Sequence, residues 1–369
     1  MIPYGKQDIS DDDIAAVVAV LKSDFLTQGP QVPKFEEALK NYVGAKHAVA
    51  VNSATSALHI ACLALGVDAG DEVWTSPNSF VASANCARMC GAKVDFVDID
   101  ANTYNISPDA LEEKLKAGRA PKVLIPVHFA GQSAELERIK KLSDEYGFKI
   151  IEDASHAIGG AYKNKKIGNC EFSDICVFSF HPVKIITTGE GGMAVTNDAK
   201  LAEKMAQLRT HGIVKKDAWL YEQTELGYNY RLTDIQAALG TSQLHRLDKF
   251  ITRRREIAQK YDAELAALPL QTPFQHPDCR SSYHLYPIVL DEPKLRLDVY
   301  EKLRAAAIGT QVHYIPIHTQ AYYKNLGFKK GYFPNAEEYY AATLSLPMFY
   351  TLSDAQQDYV IAKLKEILA

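Results

Sequence analysis

Lys184, in the run Ser179-Phe-His-Pro-Val-Lys184-Ile-Ile-Thr-Thr-Gly-Glu-Gly-Gly192, stands between an apolar stretch and glycine-rich backbone. A lysine enclosed there loses its proton readily, because burial disfavours the ammonium, and a free amine is what imine chemistry requires. Thirty-one residues earlier, Lys149-Ile-Ile-Glu-Asp153 reads as a short strand ending in a carboxylate, and sheet geometry delivers such an end to a ligand crevice. An amine and an acid so related suggest pyridoxal phosphate (PLP). The lysine forms a Schiff base with that cofactor, and the acid keeps its pyridine nitrogen protonated so that the ring accepts electrons.

Other residues fit the same chemistry while keeping a plainer reading. In Asn52-Ser-Ala-Thr-Ser-Ala57, small hydroxylated residues separate a strand end from a helix start. Free amides and a positive dipole end suit a phosphate there, although Ser and Thr at a helix start also serve as ordinary caps. Ser179 offers a hydroxyl to the same anion, or is simply solvated. Asp153 either caps the turn after its strand or pairs with a pyridinium nitrogen. His156 is a core histidine or a hydrogen-bond partner of the cofactor's phenolic oxygen, and Phe80 is a core aromatic or a platform for a flat ring. Arg231 has two candidate partners, a donor carboxylate and nearby Asp234.

Positioning these groups requires a sheet. Residues 1 to about 245 alternate strand and helix signals at the spacing of a mainly parallel, helix-covered sheet, with Ile175–Phe180 and Gly192–Thr196 as a neighbouring strand pair around Lys184. A long helical pattern over about 232–268 reads as a connector that Gly240 or the Arg253 cluster breaks or bends. Beyond it, strand 284–290, helix 296–307, strand 309–314 and a last helix from Ser353 make a compact α+β unit. The domain expectation is a large unit over 1–245 and a small one over 246–369.

With 41 Lys+Arg against 45 Asp+Glu, the net charge of -4 carries no basic block of the kind nucleic acid requires. No run approaches the roughly 18 apolar residues of a membrane span, and the start Met1-Ile-Pro-Tyr-Gly lacks an apolar leader core, so a cytoplasmic protein is expected. Six cysteines without a CxxC pair indicate neither a disulfide framework nor a structural zinc site. The spacing of Gly189, Gly191 and Gly192 before a strand is wrong for a dinucleotide fingerprint, which argues against a nicotinamide dehydrogenase.

Taken in order, Asn52–Ala57, Pro77-Asn-Ser-Phe80, Glu152-Asp-Ala-Ser-His-Ala-Ile-Gly159, Ser179–Lys184 with Gly189–Gly192, and Gly227-Tyr-Asn-Tyr-Arg-Leu-Thr-Asp-Ile-Gln-Ala-Ala238 resemble the DegT/DnrJ/EryC1/StrS sugar aminotransferases over nearly the whole chain. The resemblance implies a fold-type I PLP transferase, aspartate aminotransferase-like, working as a homodimer with active sites at the subunit interface. It implies Lys184 as the Schiff-base lysine, Asp153 as the pyridinium partner, His156 at the ring oxygen and Phe80 stacked on the ring. Ala54, Thr55 and Ser179 would hold the phosphate, joined by Asn229 of the neighbouring chain. Many members carry glutamine where His156 stands, and either side chain donates a hydrogen bond. Lysine at 184 separates the chain from related sugar 3-dehydratases, which have histidine there. Within the family the chain is most similar to transaminases that use L-glutamate and a UDP-4-keto-6-deoxy-N-acetylhexosamine in pseudaminic acid biosynthesis. That match rests on Phe25–Gly29, Asn52–Ala57, Asn78–Ala82, Ile186–Thr188, His211–Asp217 and Gln311–Tyr314, and implies Tyr4, Leu26, Thr27, Ser56, His313 and Tyr314 as sugar-nucleotide contacts. The alternatives are an aminotransferase for another keto-sugar and a catalytically silent PLP-binding regulator.

Overall fold

In the computed structural model, which describes residues 1–118 and 120–369, the first alternating pattern folds into one seven-stranded sheet. Its strands are β1 (His47–Val51), β2 (Glu72–Thr75), β3 (Lys93–Phe96), β4 (Val123–Ile125), β5 (Lys149–Asp153), β6 (Ile175–Ser179) and β7 (Gly192–Thr196). Their spatial order is β1-β7-β6-β5-β4-β2-β3. Strands β2 to β6 pair in parallel, and β7 runs antiparallel between β6 and β1. Every residue of β4, β6 and β7 is buried, as expected where helices cover both faces of a sheet.

Alternation along each strand feeds two opposed cores. Val49, Val51, Ile175 and Val177 join the side that packs α3 (Ala54–Ala64) and α4 (Ala82–Met89). Ala50, Cys176 and Phe178 point the other way, toward Phe35 and Leu39 of α2 (Gln31–Val43) and Ala237 and Leu244 of α5 (Asp234–His245). The α3 helix starts where Ser53 accepts the Ser56 amide at 3.1 Å, and its residues from Ser56 to Cys62 are buried. That burial fixes its N-terminus at the sheet edge.

The smaller C-terminal unit packs α6 (Leu247–Leu265), α7 (Arg296–Ala305) and α8 (Asp354–Leu368) on a three-stranded antiparallel sheet of β8 (Leu270–Gln271), β9 (Tyr286–Leu290) and β10 (Thr343–Leu346). Tyr261, Tyr286, Ile288, Leu344 and Leu364 lie in its core. Among the described residues, no helix is long and apolar enough to cross a membrane.

Two elements differ from expectation. The connector is two helices that meet at Arg246, whose guanidinium is drawn to Asp8 and Asp13 at 2.5 Å each. Gly240 is no breaker; it lies inside α5, where the missing side chain makes room for the Phe35 ring, which a Cβ would meet at 2.6 Å. Residues 309–314 form no strand beyond a single bridge between Gln311 and Ser345. This segment delivers His313 and Tyr314 to the cleft.

Candidate active site

The C-terminal ends of the parallel strands share one edge of the sheet, where ligands of open α/β sheets collect. Asp153 closes β5, Ser179 closes β6, and the segments carrying Asn52 and Asn78 follow β1 and β2. The β6–β7 connection folds back on itself through Lys184 N–H to His181 O at 2.8 Å and Thr188 N–H to Phe180 O at 3.0 Å. Lys184 therefore sits on a braced turn at this edge.

The Lys184 amine is pushed down to about 8 by burial, and the Asp153 carboxylate keeps it from falling further. Asp153 is only 4% exposed. Its Oδ1 accepts the Ser155 amide at 3.1 Å and its Oδ2 accepts the Ser83 hydroxyl at 2.6 Å. The turn-capping and ligand-facing readings of this residue are thus compatible. One oxygen holds the turn, and each carboxylate oxygen keeps acceptor capacity to spare.

Around this pair lies a cluster of neutral rings. Burial, then the positive charge of Lys184, holds His156 well below the usual histidine range. Its Nε2 bonds the Tyr314 hydroxyl at 3.0 Å, while its buried Nδ1 has no partner among the described residues. His284, equally depressed by burial, packs against it at 4.4 Å between ring centroids. His313 is pushed down to about 3 by burial and by Lys184, and its Nδ1 lies 2.8 Å from Ser345 Oγ. Tyr4 packs on His313 at 5.4 Å. Phe80 lies 6.3 Å from the Tyr314 ring yet is 59% exposed, so an aromatic face remains uncovered beside the cluster.

A second feature is built by close backbone approach. Ser179 pairs with Gly192 across the β6–β7 ladder, and a Cβ on Gly192 would lie 2.5 Å from the Ala54 nitrogen. Only glycine lets the first turn of α3 abut the strand end beside Ser179. The Ala54 and Thr55 amides have no intrahelical acceptor, as at any helix start. The Ser56 hydroxyl donates to Asn52 Oδ1 at 2.7 Å, which commits its proton within the loop and leaves its oxygen able to accept.

Arg231 bridges to Val51 at the end of β1 and is partly buried. The alternative ion pair with Asp234 is overturned. Asp234 is fully buried and accepts the Gly29 and Gln31 amides at 2.7 Å each, and among the described residues Arg231 has no carboxylate within 4.0 Å. Leu26 and Thr27 are exposed and tied to the start of α5, through Leu26 O to the Asp234 amide and a Thr27–Thr233 bridge. Asn229 is also exposed, its carbonyl accepting from Asn52 Nδ2 at 3.4 Å. In the single chain these three stand outside the ring cluster. Sequence reading missed Ser83 and His284; the motif Asn78–Ala82 stops one residue short of the former, and nothing local marks the latter.

The residues fit PLP. An amine lowered toward neutral pH faces a carboxylate, a buried imidazole nitrogen lacks a partner, an aromatic face is open, and the two free amides of a helix start lie beside a strand-end serine. The profile of the DegT/DnrJ/EryC1/StrS aminotransferase family matches residues 7–365. Over 353 residues the chain is 45% identical to the UDP-4-amino-4,6-dideoxy-N-acetyl-beta-L-altrosamine transaminase of Campylobacter jejuni serotype O:2, covering 94% of this chain and 92% of that one. It superposes on Helicobacter pylori PseC, an aminotransferase involved in the biosynthesis of pseudoaminic acid, with TM-score 0.94 and 37% identity across 100% of this chain and 99% of that one. The PLP form of a Streptococcus pneumoniae protein described as a sugar aminotransferase superposes with TM-score 0.93 and 31% identity over 99% and 98% of the two chains.

Proposed function

Because the chain belongs to the DegT/DnrJ/EryC1/StrS aminotransferase family and is a PLP-dependent aminotransferase, we propose that it carries an amino group from L-glutamate to C4 of a UDP-4-keto-6-deoxy-N-acetylhexosamine. The substrate is UDP-2-acetamido-2,6-dideoxy-β-L-arabino-hexos-4-ulose, and the product is the 4-amino sugar nucleotide of pseudaminic acid synthesis. The observation that carries the transamination reading is the half-buried Lys184 amine, lowered to about 8 by desolvation near the Asp153 carboxylate. Support for this sugar is the 45% identity to the altrosamine transaminase.

Bound PLP supplies an electron sink for the pair released when the donor's Cα–H bond breaks. Lys184 Nζ, already largely stripped of its hydration, takes that proton as general base and later delivers one to the sugar carbon. Asp153 orients toward the ring nitrogen and balances its charge. The unpartnered His156 nitrogen suits the ring oxygen, and Phe80 covers the ring face. Ala54, Thr55 and Ser179 hold the phosphate. Arg231, free of Asp234, receives a donor carboxylate as a charge-assisted pair. Tyr4, His313 and Tyr314 line the sugar side with neutral hydrogen-bonding groups, a surface that accepts a polar, uncharged ring. A second copy of the chain brings Asn229, Leu26 and Thr27 to the site in a homodimer.

The test is incubation of the PLP-loaded protein with glutamate and a panel of UDP- and dTDP-keto-sugars, with mass spectrometry and NMR at C4 of each product. Turnover confined to a dTDP sugar, or an amine at C3, would sink the assignment of substrate while leaving the aminotransferase intact. Lys184→Ala is expected to abolish both the bound-cofactor chromophore and turnover; retained turnover would reject the role of this lysine.

A further inference from the structure

The Ser83 hydroxyl reaches Asp153 Oδ2 at 2.6 Å across 70 residues of sequence, and Ser83 and Asp153 are 1% and 4% exposed. Ser79 Oγ lies 2.7 Å from Ser83 Oγ, also buried. An ionised carboxylate offers only lone pairs, so the single hydroxyl proton of Ser83 is committed to Asp153. The Ser79–Ser83 contact then runs one way, with Ser79 donating and Ser83 accepting. Such a chain polarises each bond toward the carboxylate, most strongly where water is excluded. The competing acceptor for Ser83, Phe80 O, is farther away at 3.4 Å.

These hydroxyls belong to the turn that carries Phe80. Ser79 precedes that ring, and Ser83 is the second residue of α4, with its amide bonded to Phe80 O at 3.3 Å. The other carboxylate oxygen is fixed by the Ser155 amide at 3.1 Å. One donor on each oxygen sets the plane of the carboxylate. We propose that Ser83, loaded by Ser79, is a positioning residue that aims Asp153 at the pyridine nitrogen of bound PLP and ties the acid to the turn bearing the stacking aromatic. The inference rests on the PLP reading of the site.

The test compares the affinity of the full chain for PLP with its affinity for the deaza analogue, in which a CH group replaces the ring nitrogen. The wild type is expected to prefer PLP. Ser83→Ala is expected to weaken PLP binding about tenfold, the scale of one lost hydrogen bond to a charged group, and to leave the analogue's affinity unchanged. Ser83→Thr, which keeps a hydroxyl, is expected to restore the preference. Ser79→Ala, which leaves the direct donor in place, is expected to reduce it by about threefold. Equal weakening of both ligands in Ser83→Ala and Ser79→Ala would show that these serines only support the local fold, and would overturn the proposal. An unchanged PLP preference in both variants would also overturn it. If the wild type binds neither ligand, the cofactor reading itself fails, which the wild-type measurement reveals before any variant is made.

Discussion

Replacing Asp153 by asparagine exposes what holds the Lys184 amine where it is. Burial brings this amine from its ordinary 10.5 to about 8 against the opposing pull of the carboxylate. At pH 7 the neutral, nucleophilic fraction is then about one in ten instead of about one in three thousand, a gain near 300-fold, since each pH unit is a factor of ten in the protonation equilibrium. An opposite charge within about 4–6 Å raises a lysine by about 1–3 units. Its loss therefore moves the Lys184 midpoint downward, on the order of one unit for a charge at that range. The assay is the rate at which cofactor-free protein captures PLP, followed by absorbance from pH 5.5 to 10. The wild-type rate should climb to a plateau with a midpoint near 8, and Asp153→Asn should reach its plateau at lower pH even though its later proton transfer is slower. A variant midpoint at or above that of the wild type would refute the electrostatic account. A wild-type midpoint near 10 would show that the amine is not desolvated at all.

The same burial has a stability signature. Because the folded-state value lies below 10.5, the unfolded chain binds more protons between about 8 and 10.5, so cofactor-free protein gains stability as pH rises through that window. Lys184→Met should accordingly stabilise the cofactor-free protein at pH 7 by up to about 3 kcal/mol and lose that advantage near pH 11, as read by urea unfolding; an equal gain at both pH values would contradict it. Gly192→Ala forces a Cβ to within 2.5 Å of the Ala54 nitrogen, and the resulting shift of the α3 start is expected to cost about 1–3 kcal/mol. PLP affinity should fall while affinity for phosphate-free pyridoxal is spared, and parallel losses would disprove the phosphate role. Arg231→Leu should raise KM for glutamate about tenfold with little change in KM for the sugar. A normal glutamate KM would remove Arg231 from the donor site.

Much of the chemistry was readable in short stretches. The strand ending at Asp153, the turn bearing Lys184 and the small-residue helix start at Ala54 are local patterns, and the strand–helix alternation that presents them at one edge is periodic in the sequence. Expectations failed where distant partners competed for a residue. Asp234 lies three residues from Arg231 but serves the Gly29 and Gln31 amides across more than 200 positions. Gly240 looks like a helix breaker until the Phe35 ring is placed against it. The ladder anticipated over 309–314 gave way to side-chain bonding, with His313 on Ser345 and Tyr314 on His156.

The chain by itself determined which groups were available: an amine, an acid, a helix start with free amides, and the order of strands along the backbone. The tertiary structure alone decided their chemical state and their companions. A lysine becomes a base only when water is removed from around it, and that exclusion arises from elements far apart in sequence. His284 and Tyr314 reach the His156 ring, and Ser83 reaches Asp153, because the folded sheet and the C-terminal unit close the distances between them.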